Sequence, residues 1–463
     1  MQQQNNYKSL AWIAATALFM QSLDATILNT ALPAIAADLH QPPLEMQLAI
    51  ISYALTVALF IPVSGWLADK YGTLSIFRLA VILFVLGSVA CAMSSSLPML
   101  VMSRILQGIG GSIMMPVARL AIIRVVPKTQ LLPVWNMMAT AGLTGPVVGP
   151  ILGGWLVTHA SWHWIFLINI PIGVLGIALA TRYMPNVRWE TSKLDWTGFW
   201  LFGGGLVGVT LGLDMINEAF FTKWQASAIV LVGALFLMFY CFYAKGRGNS
   251  ALVPLSLFRI RTFSIGMAAN LLIRLSASGI PFLLPLMFQL AFHYPADKAG
   301  MLIAPIAASS ILVKPISGRI IIGFGYKNTL IGTALLLSVS IGLMSFLSDR
   351  TPLWLLIANV ALYGGCVSLI YTAVNTLTVG DLDNSNASAG STMLSVVQQV
   401  GIGLGIAVSS IILMIYRYRI GESGEQLERA FSYTYFTSII FGVLLVAVLL
   451  RLKAGDGAQL HKK

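Results

Sequence analysis

Charge is what this chain has least of. Asp, Glu, Lys and Arg make up only 10% of its 463 residues, whereas a soluble domain carries roughly 25% to wet its exterior. By length alone the chain could form two or three soluble domains, but it lacks the polar surface to face water. Acidic residues are scarcest, 16 against 28 basic ones. The basic excess is scattered and nowhere interleaved with aromatics, so no nucleic-acid partner is expected. Three cysteines, Cys91, Cys241 and Cys366, stand far apart in apolar segments, which excludes a disulfide framework and a CxxC metal site. His159 and His163 lie four apart beside Trp162 and Trp164, without a nearby acid or thiol, and read as part of an interfacial aromatic belt. P-loop, GxSxG, HExxH and dinucleotide fingerprints are missing. That argues against ATP-driven pumping and most enzyme chemistry, and neither a metal nor an organic cofactor is expected.

What is abundant is apolar: 57% of residues are hydrophobic and the mean hydropathy is +0.83. Disorder and fibrous repeats are excluded by the same values, and the natural solvent is lipid. A membrane-spanning helix needs about 20 mostly apolar residues. Such runs fall at 10–33, 46–67, 75–95, 98–120, 132–157, 164–184, 196–216, 225–244, 263–290, 298–322, 328–347, 352–377, 388–416 and 431–452, which makes fourteen. The runs are continuous and do not alternate, so they predict helices and not a barrel. The first ends at Leu32-Pro33 with no small-residue cleavage pattern and is read as a span. The span at 196–216 is the weakest because Gly203, Gly204 and Gly205 stand in a row. Taking the N-terminus as cytoplasmic puts nineteen Lys and Arg on that side, six opposite and three (Arg104, Arg274, Lys314) inside spans. This bias and the even span count predict two cytoplasmic termini.

A weak repeat divides the chain. Gly65-Trp-Leu-Ala-Asp-Lys-Tyr-Gly72 follows the second span and Gly318-Arg-Ile-Ile-Ile-Gly-Phe-Gly325 follows the tenth, each with an aromatic before its second glycine. The two align if the seventh and eighth helices are an insertion. The expected architecture is therefore an all-α polytopic membrane protein: a six-helix bundle over 1–190, an inserted two-helix hairpin over 191–250, a second six-helix bundle over 251–455 and a cytoplasmic tail over 456–463. Lys245 to Thr262 is the linker between insert and second bundle. Transporters are commonly built from such repeats, with the substrate held between them.

Intramembrane charges are costly and therefore informative. Asp24, deep in the first span, is the one acid placed there. Burial raises a carboxyl's pKa and a nearby cation lowers it, so such a group can exchange a proton as a cavity opens to either side. A structural ion pair or cap is the plainer reading. Arg104 in the fourth span lies at a compatible depth and is the expected partner, as a proton-coupling residue or as a brace between two helices. Gly145, Gly149 and Gly153 are four apart, with Gly154 following. On a helix they make a smooth stripe for a close neighbour, and Pro146 and Pro150 invite a bend. This suits a gating interface or ordinary small-residue packing. Gly65, Asp69, Lys70 and Gly72 form a charged cytoplasmic turn in which Asp69 either latches a neighbouring helix N-terminus or is simply solvated. Arg274 and Lys314 receive an anionic substrate or pair with helix C-termini and carbonyls. Lys314 is near enough to the cytoplasm to snorkel and is read as structural, while Arg274 stays open. Gln21, Asn29, Gln107, Gln398 and Gln399 are further candidates for a cavity lining.

These motifs together resemble the major facilitator superfamily, and within it the fourteen-helix drug:proton antiporter branch. Leu23-Asp24-Ala-Thr26-Ile-Leu-Asn29-Thr-Ala31-Leu32-Pro33 resembles that branch's first-helix motif, and Gly65 to Gly72 the loop 2–3 signature. Arg104, Gln107 and Gly108 match the fourth-helix motif associated with proton transfer. Gly145 to Gly154 match the antiporter motif, and Trp162-His163-Trp164-Ile-Phe-Leu-Ile-Asn-Ile-Pro171 resembles the segment before helix six. Three positions depart from the pattern. Thr73-Leu74 follow Gly72 where Arg-Arg/Lys is usual, leaving Arg78 as an alternative latch; His163 and Gln398 stand where Arg is frequent. The resemblance implies a proton-coupled secondary transporter of the bacterial cytoplasmic (inner) membrane. It would export small amphipathic or cationic compounds by alternating access, as a monomer, with protons as the coupling ion. The rivals are an exporter dedicated to one metabolite and a transport-dead sensor or scaffold on the same fold.

Overall fold

The computed structural model describes residues 2–41, 46–190, 193–216, 222–421 and 424–460. The side chains of some helical residues within these ranges, Asn29, Pro146 and Pro150 among the predicted ones, lie outside the description. No strand occurs among the described residues. Hydrocarbon offers no partner to a backbone N–H, so each apolar segment must satisfy its own hydrogen bonds, which helices do. In chain order the helices are α1 (Gln2–Asp38), α2 (Gln47–Tyr71), α3 (Thr73–Ala92), α4 (Leu97–Val125), α5 (Leu131–His159), α6 (Trp164–Leu167), α7 (Asn169–Tyr183), α8 (Trp196–Ile216), α9 (Lys223–Arg247), α10 (Arg261–Ala277), α11 (Ile280–Leu286), α12 (Ala296–Met344), α13 (Leu353–Gly380), α14 (Ala387–Ile420) and α15 (Gly424–Leu449).

Twelve described stretches are long and apolar enough to cross a bilayer. The expectation of fourteen rests on adding α5, 29 residues long, and on counting α12 twice. At 1.5 Å per residue the 49-residue α12 would run about 74 Å, more than twice a bilayer's hydrocarbon thickness. It breaks at Gly325 (φ 75°, ψ 162°). Gly72, its counterpart in the sequence repeat, sits between α2 and α3 at φ 98°. Both second glycines of the repeat thus hold left-handed turns that L side chains avoid. The run at 263–290 differs from the expected single helix: α10 stops at Ala277 and α11 restarts at Ile280, ending in a π turn over Met287–Ala291. Pro281 and Pro285 each remove a backbone donor there.

The helices pack into two compact units, the first holding α1–α9 with Leu382–Val396, the second α10–α13 with the chain from Val397 onward. In the first unit Leu23, Ile27, Ala31, Leu100, Leu156 and Phe166 belong to one buried cluster; in the second, Leu283, Phe288, Tyr363, Phe431 and Tyr435 do. Large apolar side chains also cover the outside, as at Met102, Phe242 and Phe346. Such a surface suits lipid tails and not water.

The inserted hairpin explains the glycines of the weakest predicted span. A Cβ on Gly208 would lie 2.8 Å from the Gly233 Cα, and one on Gly212 2.7 Å from the Val230 N. The stripe Gly205, Gly208 and Gly212 is the face on which α8 meets α9, a small-residue contact of the kind membrane helices use. Asp195 caps α8 by accepting from Gly198 N–H (3.0 Å). Its other oxygen accepts from Leu252 N–H (3.2 Å) in the linker.

Gly72 and Gly325 separate two costs. A Cβ on Gly325 meets open space, whereas one on Gly72 would lie 2.1 Å from Asn186 Oδ1. Gly325→Ala should therefore cost only the positive-φ backbone, about 1–3 kcal/mol, and Gly72→Ala distinctly more. Thermal melting of the purified variants measures this, and equal losses would contradict it.

Candidate functional site

Asp24 lies midway along the apolar α1, and five helices converge on it. Arg104 on α4 donates from Nη1 to Asp24 Oδ2 at 2.8 Å, with both side chains 1% exposed. Gln107, three residues on and so on the same face of α4, donates from Nε2 to Asp24 Oδ1 at 2.8 Å. Its Oε1 accepts from Arg104 Nη1 at 2.6 Å. Acid, base and amide close a triangle, and only this amide orientation keeps oxygen away from the carboxylate. Arg104 Nε donates to the Ala49 carbonyl of α2 (3.1 Å), and its guanidinium lies 4.3 Å from the Tyr53 ring. Gln107 also donates to Ser88 Oγ of α3 (2.8 Å), which accepts from Asn169 Nδ2 of α7 (3.2 Å). Gln21, one turn before Asp24, donates to the Gly111 carbonyl of α4. Each carboxylate oxygen thus has a fixed donor, as a buried charge requires. Sequence reasoning found Asp24, Arg104, Gln107 and Gln21. It missed Tyr53 and Ser88, whose only signal is being polar within apolar spans, and the role of Asn169, which stands in the segment that resembles the family's motif before helix six.

The glycine stripe of α5 faces α1. A Cβ on Gly145 would lie 2.2 Å from Ser22 Oγ and 2.9 Å from the Leu23 N, and one on Gly149 2.1 Å from Thr26 Oγ1. Gly145 and Gly149 therefore set how closely α5 packs against the turns that carry Asp24. Gly153 is buried, but Gly154 is exposed with nothing near it and stands outside that contact.

At the other charged motif, Asp69 Oδ1 pairs with Arg124 Nη1 in the last turn of α4 at 2.6 Å. The structure thus corrects the expected helix N-terminus to a guanidinium. Arg124 also lies 5.4 Å from the Trp189 ring, and Trp189 N–H donates to the Asp69 carbonyl (3.0 Å). Arg78 does not serve as the latch; it donates to Thr181 Oγ1 of α7 (2.9 Å from Nε). Asn186 caps α3 from 112 residues away in sequence, accepting from Leu74 N–H at 3.1 Å. Lys70 stacks over Trp66 (4.7 Å) and stays exposed. A Cβ on Gly65 would lie 2.4 Å from Ser388 Oγ. Nearby, Asp383 accepts from Ser385 Oγ (2.6 Å); that hydroxyl chiefly holds its carboxyl below the usual carboxylate range.

In the second unit Lys314 does not snorkel. It is 5% exposed, donating to Thr372 Oγ1 (2.6 Å) and the Ser368 carbonyl (3.3 Å) of α13. Those acceptors are nearer than water, and they settle its position. Arg274 is also buried, with its guanidinium 4.9 Å from the Tyr371 ring. Gln398 donates to Asn375 Oδ1 (3.1 Å). Gln399 is half-buried, and Asn29 lies outside the described side chains. His159 and His163 stack on Trp155 (5.4 Å) and Trp162 (3.8 Å). Among the described residues no group of three His, Cys, Asp or Glu is placed to hold a metal.

Residues 14–406 match the family model described as Major Facilitator Superfamily. The Haemophilus influenzae protein named "Probable transport protein HsrA" is 58% identical over 458 residues, 99% of this chain and 98% of its own. The Salmonella dublin protein named "Putative multidrug resistance protein MdtD" is 38% identical over 98% of this chain and 97% of its own. Among solved structures, the human organic anion transporter MFSD10 aligns with a TM-score of 0.69 at 14% identity, covering 96% of this chain and 99% of that one. The proton:xylose symporter XylE aligns at 0.68 and 12%, covering 98% and 97%. At these identities the structures speak for the fold alone.

Removing one partner of a buried pair leaves an uncompensated charge. Arg104→Leu should destabilise the protein by about 3–5 kcal/mol, and adding Asp24→Asn should restore part of that loss. Melting temperatures of the two single variants and the double variant form the cycle. Strictly additive losses would contradict a coupled pair.

Proposed function

Because the chain belongs to the major facilitator superfamily, and is a multi-pass membrane transporter and not an enzyme, we propose that it exports small amphipathic compounds in exchange for protons. It does so by alternating access, as a monomer in the bacterial cytoplasmic membrane. The observation that carries this reading is the buried Asp24–Arg104 pair at 2.8 Å. A proton on Asp24 cancels the charge that answers Arg104 and turns an acceptor oxygen into a donor. The Arg104–Asp24–Gln107 triangle then loses its electrostatic reason to hold, and α1 is released from α4. In the conformation described the acid is 1% exposed, so proton exchange belongs to another state of the cycle. The α1–α5 contact at Gly145 and Gly149 supplies a smooth surface beside the moving turns. The name of the 38%-identical relative supports a broad range of cargo.

The test is flux in proteoliposomes under an imposed pH gradient, across a panel of dyes and drugs. Asp24→Asn should lower gradient-driven export about tenfold or more, a barrier change of some 1.4 kcal/mol, and Arg104→Ala should do likewise. Full pH-driven export by a normally expressed Asp24→Asn protein would overturn the reading. Competition among unrelated dyes separates broad export from transport of one metabolite, and absence of any flux points to a sensor.

A further inference from the structure

Arg274 is the one strongly basic group of the second unit that is both buried and unanswered among the described residues. It is 8% exposed, its Nε is buried without an acceptor, and no described residue takes a hydrogen bond from its guanidinium. No Asp or Glu is buried among the described residues of that unit, and the other buried cation, Lys314, is engaged by Thr372 and Ser368. A guanidinium cannot shed its proton to escape burial, so its donors call for acceptors, and an anion would answer its charge as well.

The side chain is nonetheless held in place. Its guanidinium carbon lies 4.9 Å from the centre of the Tyr371 ring, a cation–π contact that restrains the head group. Gly401 of α14 supplies the space it occupies, since a Cβ there would sit 2.6 Å from Arg274 Cδ. Two half-buried polar groups stand one helical turn from these contacts. Asn375 is one turn beyond Tyr371 on the same face of α13, and it accepts from Gln398, one turn before Gly401 on α14. A planar guanidinium with unanswered N–H donors can take a carboxylate or sulfonate through two parallel bonds.

We infer that Arg274 is the receptor for the anionic group of the cargo, and that the transported class is amphipathic organic monoanions. This rests on the proposed export function and departs from the cationic cargo that the family resemblance implies. Tyr371 positions the guanidinium, and Gly401 keeps its site open.

The experiment is equilibrium binding to the purified full-length protein with three dansyl probes that share a ring system: dansylglycine, its uncharged methyl ester, and the cationic dansyl-ethylenediamine. The wild type should bind dansylglycine at least about tenfold more tightly than the ester or the cation, roughly the value of one charge-assisted contact. Arg274→Gln should bind dansylglycine and the ester equally, and Arg274→Lys should keep part of the preference. The readout is a ratio between probes within one variant, so a reduced folded fraction does not imitate the result. Equal binding of the three probes by the wild type overturns the inference. So does a preference that survives in Arg274→Gln. Asp24→Asn should keep the anion preference while losing proton-driven flux. Flux without anion preference therefore sinks this inference alone, and anion preference without flux sinks the export reading alone.

Discussion

A carboxylate surrounded by hydrocarbon needs donors fixed within reach, and Asp24 has two. Arg104 answers one oxygen and Gln107 the other, and each of these is tied in turn to the Ala49 carbonyl or to Ser88. The constraint spreads outward from there. To deliver the donors, α4 must lie beside α1. To hold Gln107, α3 and α7 must bring Ser88 and Asn169 together. To keep the Asp24 turn in place, α5 must approach closely enough that only glycine fits opposite Ser22 and Thr26. One charge thereby fixes the mutual placement of six helices, α1 to α5 and α7, whose apolar faces have little preference of their own, because lipid tails solvate leucine as well as another helix does.

Much of this was legible in the sequence, for a physical reason. In a chain so poor in charge, an isolated Asp and an isolated Arg within apolar runs stand out, and the cost of burying either makes a partner obligatory. The spans were legible because hydrocarbon permits little besides helices. The repeat at Gly72 and Gly325 was legible as spacing, and its meaning, a positive φ at each second glycine, required the backbone. Neutral polar residues were legible only in part, Gln21 and Gln107 among those found. Tyr53, Ser88 and Asn169 carry no penalty that singles them out, and which face of a helix they occupy depends on rotations that a hydropathy pattern leaves free. Asn186 was invisible for a different reason: it caps α3 across 112 residues, and no local rule links the two.

Two side chains show what the sequence left open. Lys314, read as structural, could snorkel or pair with a carbonyl, and Asp69 could latch a helix N-terminus or face water. Both found partners on neighbouring helices, Thr372 with the Ser368 carbonyl and Arg124 respectively. A long side chain takes the nearest adequate acceptor, and sequence distance to a membrane boundary does not measure that. Gly203 to Gly205 made one span the weakest on paper, because glycine lowers helix propensity in water. Within the protein, Gly205 begins a stripe with Gly208 and Gly212 along which α8 and α9 approach backbone to backbone.

The two units handle charge differently, and that difference bears on energetics. The first holds a matched pair around Asp24. The second holds Arg274 with no described acceptor. An exporter whose cargo is a cation works against an inside-negative membrane potential, and the charge moved by the entering proton is offset by the charge leaving. With an anionic cargo the two movements add: a proton enters, a negative charge leaves, and the potential favours both, at about 2.3 kcal/mol per charge for each 100 mV. A single proton-binding acid then suffices to drive steep export, because the membrane potential acts on the cargo itself. Such a cycle asks for a proton site and an anion site: the Asp24–Arg104 pair in one unit, neutral as an ion pair and cationic once protonated, and Arg274 in the other, neutral once loaded.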